Sequence, residues 1–451
     1  MKLQRNIGLA GGIALVVGGI IGLGAYVLIP AIAYKAGNAA WLAICVALAI
    51  SLISVLPIIQ LSSALPVAGG GYMYVSRLLS PLAGLLTSSW ALIGGACSVS
   101  LVSVGLVQSL AGYLPFAISP HIGAAVLVLL FYAFYFSGLR VLTGLQVLLS
   151  AQLILALLIY AYPVLWVKWT DIRIGLPATS GFAMAVILAM NISLGFQIII
   201  EMGEEITDPK RNIPLALLIG AGVILLIYLF VLFAYTFSGF PLKTPMAVTA
   251  EFYLPPALVH FFEFGMISAA LTTYNGAAIT LPREIFSMSR DKTLPGFLSA
   301  VNDKGSPINA TTAFFALVIA MLLLGQLLDS LGVVQIFFGE DVIEYYGFMT
   351  IMGVMLLTVL LSIAAWQLSS KYPEQVGSAY LRFAPVWLKV FIVIAVLSSL
   401  CLIVIICTKW LVPVLFVLFS LITIMYYYWR KRILLTRGWQ IGNVFTETVL
   451  K

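Results

Sequence analysis

Apolar residues run through this chain in long, nearly continuous blocks separated by short polar clusters. The blocks show neither the strict alternation of a half-buried strand nor the one-sided stripe of a helix lying on a soluble core. They fall near residues 7–33, 39–65, 83–113, 122–137, 142–167, 181–203, 213–237, 257–281, 309–328, 342–368, 386–407 and 410–429. Most are about the length a helix needs to cross a hydrocarbon layer, roughly 20 residues; the fourth is short. Hydrocarbon cannot pair a bare amide, so a spanning segment must satisfy its backbone within itself. The pattern predicts an all-α integral membrane protein with 12 transmembrane helices, and an even count puts both termini on one side.

Composition agrees. The chain of 451 residues is 62% hydrophobic and 9% charged, with a mean hydropathy of +1.13. Soluble domains are nearer a quarter charged. No hydrophilic stretch is long enough for a second domain. The first block follows Lys2 and Arg5 but is as long as a span and lacks a small-residue cleavage site, so it reads as the first helix and not as a signal peptide. With the N-terminus in the cytoplasm, 18 of the 23 Lys and Arg residues lie in inner segments and 5 in outer ones. That bias sets the orientation, with both termini cytoplasmic in a multi-pass protein of the cytoplasmic membrane. It also accounts for the net charge of +7 without nucleic acid. The cluster Arg430-Lys431-Arg432 after the last block is expected to stop translocation and touch anionic lipid. Cys45, Cys97, Cys401 and Cys407 sit inside apolar runs with no metal or disulfide spacing. His121 and His260 are too few for a histidine metal centre.

Two blocks carry chemistry. The first contains Gly18-Gly19-Ile20-Ile21-Gly22-Leu23-Gly24-Ala25-Tyr26. Glycine is a poor helix former, so this run favours either a helix break beside a cavity or a close packing seam, Gly18 and Gly22 forming a G-x-x-x-G pair. At a break, freed amides at the start of the outer half-helix would hold a carboxylate. The sixth block contains Asn191, Ser193, Gly195, Phe196 and Gln197 in mid-span, where small-residue packing is the plainer alternative. Its end, from Glu204-Glu205 to Asp208-Pro209 and Pro214, reads as a structural latch between loops. Interrupted blocks at positions one and six suit two inverted halves of five helices. An ionisable group inside a membrane is a functional candidate by default; Glu201, Glu263 and Glu344 qualify, but each lies near an interface where hydration is the plainer account.

At this level of detail the chain resembles the amino acid–polyamine–organocation permeases, in particular their bacterial and archaeal amino-acid transporters. The run 18–26 is similar to that family's G-x-I-I-G-S-G-I-F. Segment 60–84 (QLSSALPVAGGGYMYVSRLLSPLAG) is similar to its second helix and following loop, segment 195–214 to G-F-E…E-E-x-x-N-P-K-R-N-I-P, and segment 283–310 to R-x-x-x-x-M-x-R-D-x-x-L-P-x-F-L-x-x-V-N-x-K-G-x-P. The resemblance covers about residues 5–375; the last two blocks match only as hydrophobic spans. It implies a five-plus-five inverted repeat with helices one and six broken, residues 1–167 and 181–368 forming the halves and 386–429 two added helices. It implies a substrate carboxylate on the amides around Gly22, Leu23, Gly24 and Ala25, and an ammonium on carbonyls around Gly19, Ile20, Asn191 and Leu194, with Ser193, Gly195 and Phe196 beside them. Side-chain selectivity would come from helices three, six, eight and ten.

Several positions depart from the family. Leu23 stands where a serine is usual, so binding there rests on the backbone. Gln60 and Gln197 replace acidic residues and cannot carry a proton. The aromatic gate expected near Asn191 is absent, with Phe196 a loose substitute. Some proton-coupled members carry a helix-five lysine; here Gln152 or Leu153 falls at that place. Thr272, Thr273 and Asn275 on helix eight are the candidates for an ion-coupling site, for Na+ or H+, with back-bonding of the threonines to the preceding turn as the alternative.

The reading that follows is a secondary transporter of a small, neutral amino acid, with no cofactor, no metal and no obligatory protein partner. Two others stay open. A polyamine or organic-cation carrier would want carboxylates in the cavity, and a non-transporting sensor would bind the same ligand on the same scaffold. An enzyme is disfavoured, since no nucleophile–base pair or metal set is visible.

Overall fold

A computed structural model describes residues 7–438 except 66, 68, 111–118, 136–138, 172, 178–180, 194, 200–204, 243, 303–305 and 339–341. Among the described residues there is no strand, only an isolated parallel bridge between Ile7 and Ile206. The first expected span is two helices, α1 (Leu9–Ile20) and α2 (Gly24–Ala36). There follow α3 (Ala40–Ala64), α4 (Gly70–Leu78), α5 (Pro81–Leu110), α6 (Pro120–Tyr135), α7 (Leu139–Lys168) and α8 (Phe182–Asn191). A 3₁₀ turn, Phe196–Ile199, stands beyond α8. Then come α9 (Pro209–Thr236), α10 (Met246–Tyr253), α11 (Pro256–Thr280), α12 (Pro282–Arg290), α13 (Ile308–Ser330), α14 (Val333–Phe338), α15 (Val342–Lys371), α16 (Pro373–Gly377), α17 (Pro385–Ile406) and α18 (Leu411–Thr436).

Eight helical stretches among the described residues are long and apolar enough to cross a membrane, Gly24–Ala64 counting as one. The shorter or more polar helices α1, α6, α8 and α11 lie where the other expected spans fall. Large apolar side chains stay exposed around the bundle, among them Leu130, Leu148, Leu226, Leu397 and Ile422. Water would penalise such a sheath and hydrocarbon does not. Trp166, Trp169, Trp387, Trp410 and Trp429 are exposed near helix ends, as at a membrane–water boundary.

Inside, α5 is the central helix and packs along α15, while α3 packs on α8 and α9, and α7 on α11. Small residues set these distances. A Cβ on Gly94 would lie 3.1 Å from Thr350 O, and one on Gly353 would lie 2.5 Å from Trp90 O, so α5 and α15 nearly touch backbone to backbone. Short helices absent from the sequence reading, α4 and α12 above all, gather at one end of the bundle with Arg77, Arg283 and Lys371, hereafter the basic end.

Candidate functional site

The glycine run breaks helix one. α1 stops at Ile20, residues 21–23 turn, and α2 restarts at Gly24. The amides of Ala25 and Tyr26 close short turns to Gly22 O and Leu23 O, both at 3.0 Å. Those of Leu23 and Gly24 stand ahead of the first turn of α2, where a helix leaves donors to other partners. Gly22 and Ala25, expected among the ligand donors, thus already spend their amides inside the chain, Gly22 N on Ile20 O at 2.9 Å. The sixth block breaks in the same manner: α8 ends at Asn191 and the chain resumes as the Phe196–Ile199 turn.

The two breaks meet. Gly195 has φ +124, a conformation open to glycine, and a Cβ there would stand 3.0 Å from Gly19 O and from Ile20 Cγ1. A Cβ on Gly24 would stand 3.2 Å from Ile192 Cγ2. The Tyr228 hydroxyl, on α9, lies between the two breaks, donating toward Ile192 O at 2.8 Å and Ile20 O at 3.2 Å. Sequence reasoning missed this residue; a lone tyrosine in the middle of an apolar block was its only signal. Leu23 is buried, as is Ser193, whose hydroxyl donates back to Ala189 O at 2.7 Å. Phe196 is buried and turns to a cavity between α3, α15 and α17, shared with Ser51, Met355 and Ser399. Leu194, Glu201 and the side chain of Asn191 lie outside the described residues.

Next to the first break, a Cβ on Gly22 would come 2.8 Å from Thr273 Oγ1. Both threonines donate to Ala269 O, Thr272 at 2.9 Å and Thr273 at 3.1 Å, the back-bonding expected of threonine in a membrane helix. Asn275 donates to Gln146 Oε1 at 2.8 Å. Two polar residues of α7 stand beside helix one. Gln146 and Ser150 face Gly18, and Ser150 donates to Ala14 O at 3.3 Å, whereas Gln152 bonds Phe261 O. Neither described carboxylate candidate enters this region: Glu263 pairs with exposed His260 at 3.2 Å and Glu344 is exposed at the start of α15.

The basic end is closed by buried charge. Arg283 donates to Glu205 at 2.8 Å, both side chains fully buried. Arg77 donates to Asp291 at 2.7 Å, and Tyr72 OH donates to the other Asp291 oxygen at 3.0 Å. Burial, then the Asp291 charge, holds the Tyr72 phenol well above its ordinary range, which keeps it a donor. Glu284 accepts from the Tyr72 amide at 2.9 Å and from Ser88. Ile7 accepts from Thr207 N at 2.9 Å and donates to Glu205 O at 3.1 Å, tying the start of helix one to the exit of helix six. The basic cluster expected after the last helix lies inside α18, because that helix runs on past the apolar block to Thr436; Arg430 is half-buried and turned inward, while Lys431 and Arg432 are exposed.

Comparison with known proteins adds a family. A model described as amino acid permease matches residues 7–429. An uncharacterized transporter of Mycobacterium tuberculosis is 25% identical over 359 residues, covering 76% of this chain and 79% of its own. The Asc-type amino acid transporter 1 of Mus musculus is 26% identical over 388 residues, covering 79% and 71%. The branched-chain amino acid permease of Bacillus subtilis is 23% identical over 354 residues, covering 71% and 75%. Among solved structures, a mutant of the Eremococcus coleocola manganese transporter superposes with a TM-score of 0.61 at 13% identity over 93% of each chain, which speaks for the fold alone.

Proposed function

The chain belongs to the amino acid permease family, and from that premise we propose that it is a secondary transporter moving a small, neutral amino acid across the cytoplasmic membrane by alternating access. Membership makes it a multi-pass membrane transporter and points away from an enzyme. The finer reading rests on one observation, that the helix breaks at 21–23 and 192–195 face each other across Gly19 and Gly195. Amides at the start of α2 suit a carboxylate and the carbonyls ending α1 suit an ammonium. A zwitterion needs both and no side-chain charge, in keeping with the distant Glu263 and Glu344.

In this reading residues 1–167 and 181–368 are inverted halves, 386–429 two added helices, and the basic end is cytoplasmic. A coupling cation, Na+ or H+, is placed beside Gly22, where the Thr273 hydroxyl keeps lone pairs toward helix one. Saturable uptake of a neutral amino acid into proteoliposomes is the test, with thermal shift across amino acids and amines, with and without sodium, as the binding readout. Stabilisation by polyamines alone would overturn the substrate class, and binding without flux would make the protein a sensor.

Two substitutions probe the site. Gly24→Val, which drives a branched side chain into Ile192, is expected to lower uptake roughly tenfold or more with the protein still folded. Tyr228→Phe removes the donor between the breaks. The loss of about 1 kcal/mol is expected to slow uptake about fivefold, read as initial rates at matched protein content.

A further inference from the structure

The inner latch has a support from an unexpected helix. The turn after α12 runs through Asp291, Lys292, Thr293 and Leu294, and Lys292 sits at φ +64, which a side-chain-bearing residue adopts at a cost. Three successive carbonyls of this turn are capped from α18. Arg430 Nε donates to Lys292 O at 3.1 Å, Tyr426 OH donates to Thr293 O at 3.0 Å, and Arg430 Nη2 donates to Leu294 O at 3.4 Å. The turn also bonds inward: Thr293 Oγ1 donates to Met288 O at 2.6 Å and lies 3.1 Å from Tyr72 OH. Its first residue, Asp291, is the acceptor for Arg77 and Tyr72, both on α4. Higher up, Trp90 of α5 donates to Ser420 of α18 at 2.8 Å, which anchors the helix along its length.

We infer that α18 clamps the cytoplasmic latch, Arg430 and Tyr426 being positioning residues that hold the 291–294 turn so that Asp291 stays closed on Arg77 and Tyr72. The inference rests on the transporter reading for the meaning of the latch as an inner gate. The geometry of the clamp does not depend on it. An unsupported left-handed turn would relax, Asp291 would swing from Arg77, and α4 would loosen from α12. α18 is broadly exposed along its apolar face, with Leu421, Ile422, Met425 and Trp429 uncovered. Whatever shifts that helix in the membrane therefore shifts the gate.

The test uses the full chain in inside-out vesicles, with a reporter cysteine at Met73→Cys, buried on α4, in a background lacking the native cysteines. A membrane-impermeant maleimide reads opening of the latch. Arg430→Gln is expected to speed labelling about tenfold, as for loss of a charged hydrogen bond, and Tyr426→Phe about fivefold. Arg430→Lys, which keeps the charge and one donor direction, is expected to fall between wild type and Arg430→Gln. A parallel protein retaining only buried Cys97 reports general loosening, and its labelling is expected to stay unchanged. Equal labelling of Met73→Cys in wild type, Arg430→Gln and Tyr426→Phe would overturn the clamp, as would a matching rise at Cys97. Failure of the wild type to carry any amino acid would instead overturn the transporter reading, while the labelling rates would still read the clamp.

Discussion

Gly195→Ala is expected to all but abolish transport while the bundle still folds. At φ +124 an L side chain costs on the order of 1–3 kcal/mol before any contact is counted. The added Cβ would also press on Gly19 O and Ile20 Cγ1 at 3.0 Å. Both neighbours belong to the other helix break, so relief must come by separating the two breaks or by turning the peptide. Either movement displaces the carbonyls assigned to the substrate ammonium, and positional errors of this kind are costly because binding depends on preformed geometry. Together these predict an uptake rate lower by roughly 30-fold or more, each 1.4 kcal/mol being a factor of ten. Gly222→Ala is the control: nothing lies within 4 Å of its would-be Cβ, and it faces outward on α9. Its uptake is expected to match wild type. Initial rates in proteoliposomes and ligand thermal shifts check both. Wild-type uptake by Gly195→Ala would remove the paired breaks as the substrate site.

The breaks were legible because glycine acts locally. Four glycines in seven residues weaken a helix wherever it lies, and the run 18–24 ends α1 and starts α2 as the sequence suggests. The latch was partly legible for a similar reason: charges such as Glu205 and Arg283 at the ends of apolar blocks must find partners, though their pairing across 78 positions is a property of packing. What stayed hidden was direction. A spanning helix is apolar on every side, so no stripe says which face is turned inward. Hence the meeting of Gln146 and Ser150 with helix one, the entry of Tyr228 into the gap between the breaks from α9, and the turn of Phe196 toward α3 and α15 had no mark in the hydropathy pattern. The short helices α4 and α12 escaped the hydropathy pattern because they are held by polar contacts, with Gly69 at φ +65 letting α4 start against α12. Arg430 looked like its exposed neighbours until the turn it caps was in place.

Arg283→Met is expected to be the most destabilising change at the basic end. Arg283 and Glu205 are fully buried, and removing the cation takes from the carboxylate the guanidinium that pairs with it at 2.8 Å in a place closed to water. Breaking such a pair from one side typically costs roughly 3–5 kcal/mol, because the stranded charge must be desolvated without compensation. The same reasoning separates stability from gating. In the double variant Glu205→Gln with Arg283→Met no charge is stranded, so much of the stability is expected to return. The tie between the exit of helix six and α12 is still missing, however, and transport remains altered. If the pair were only a stability element, uptake would recover together with the melting temperature. If it is part of the inner latch, the melting temperature recovers and the uptake rate does not. Detergent melting curves beside proteoliposome uptake for the two single variants and the double decide between these outcomes, and the non-additivity of the stability changes measures the coupling across the latch.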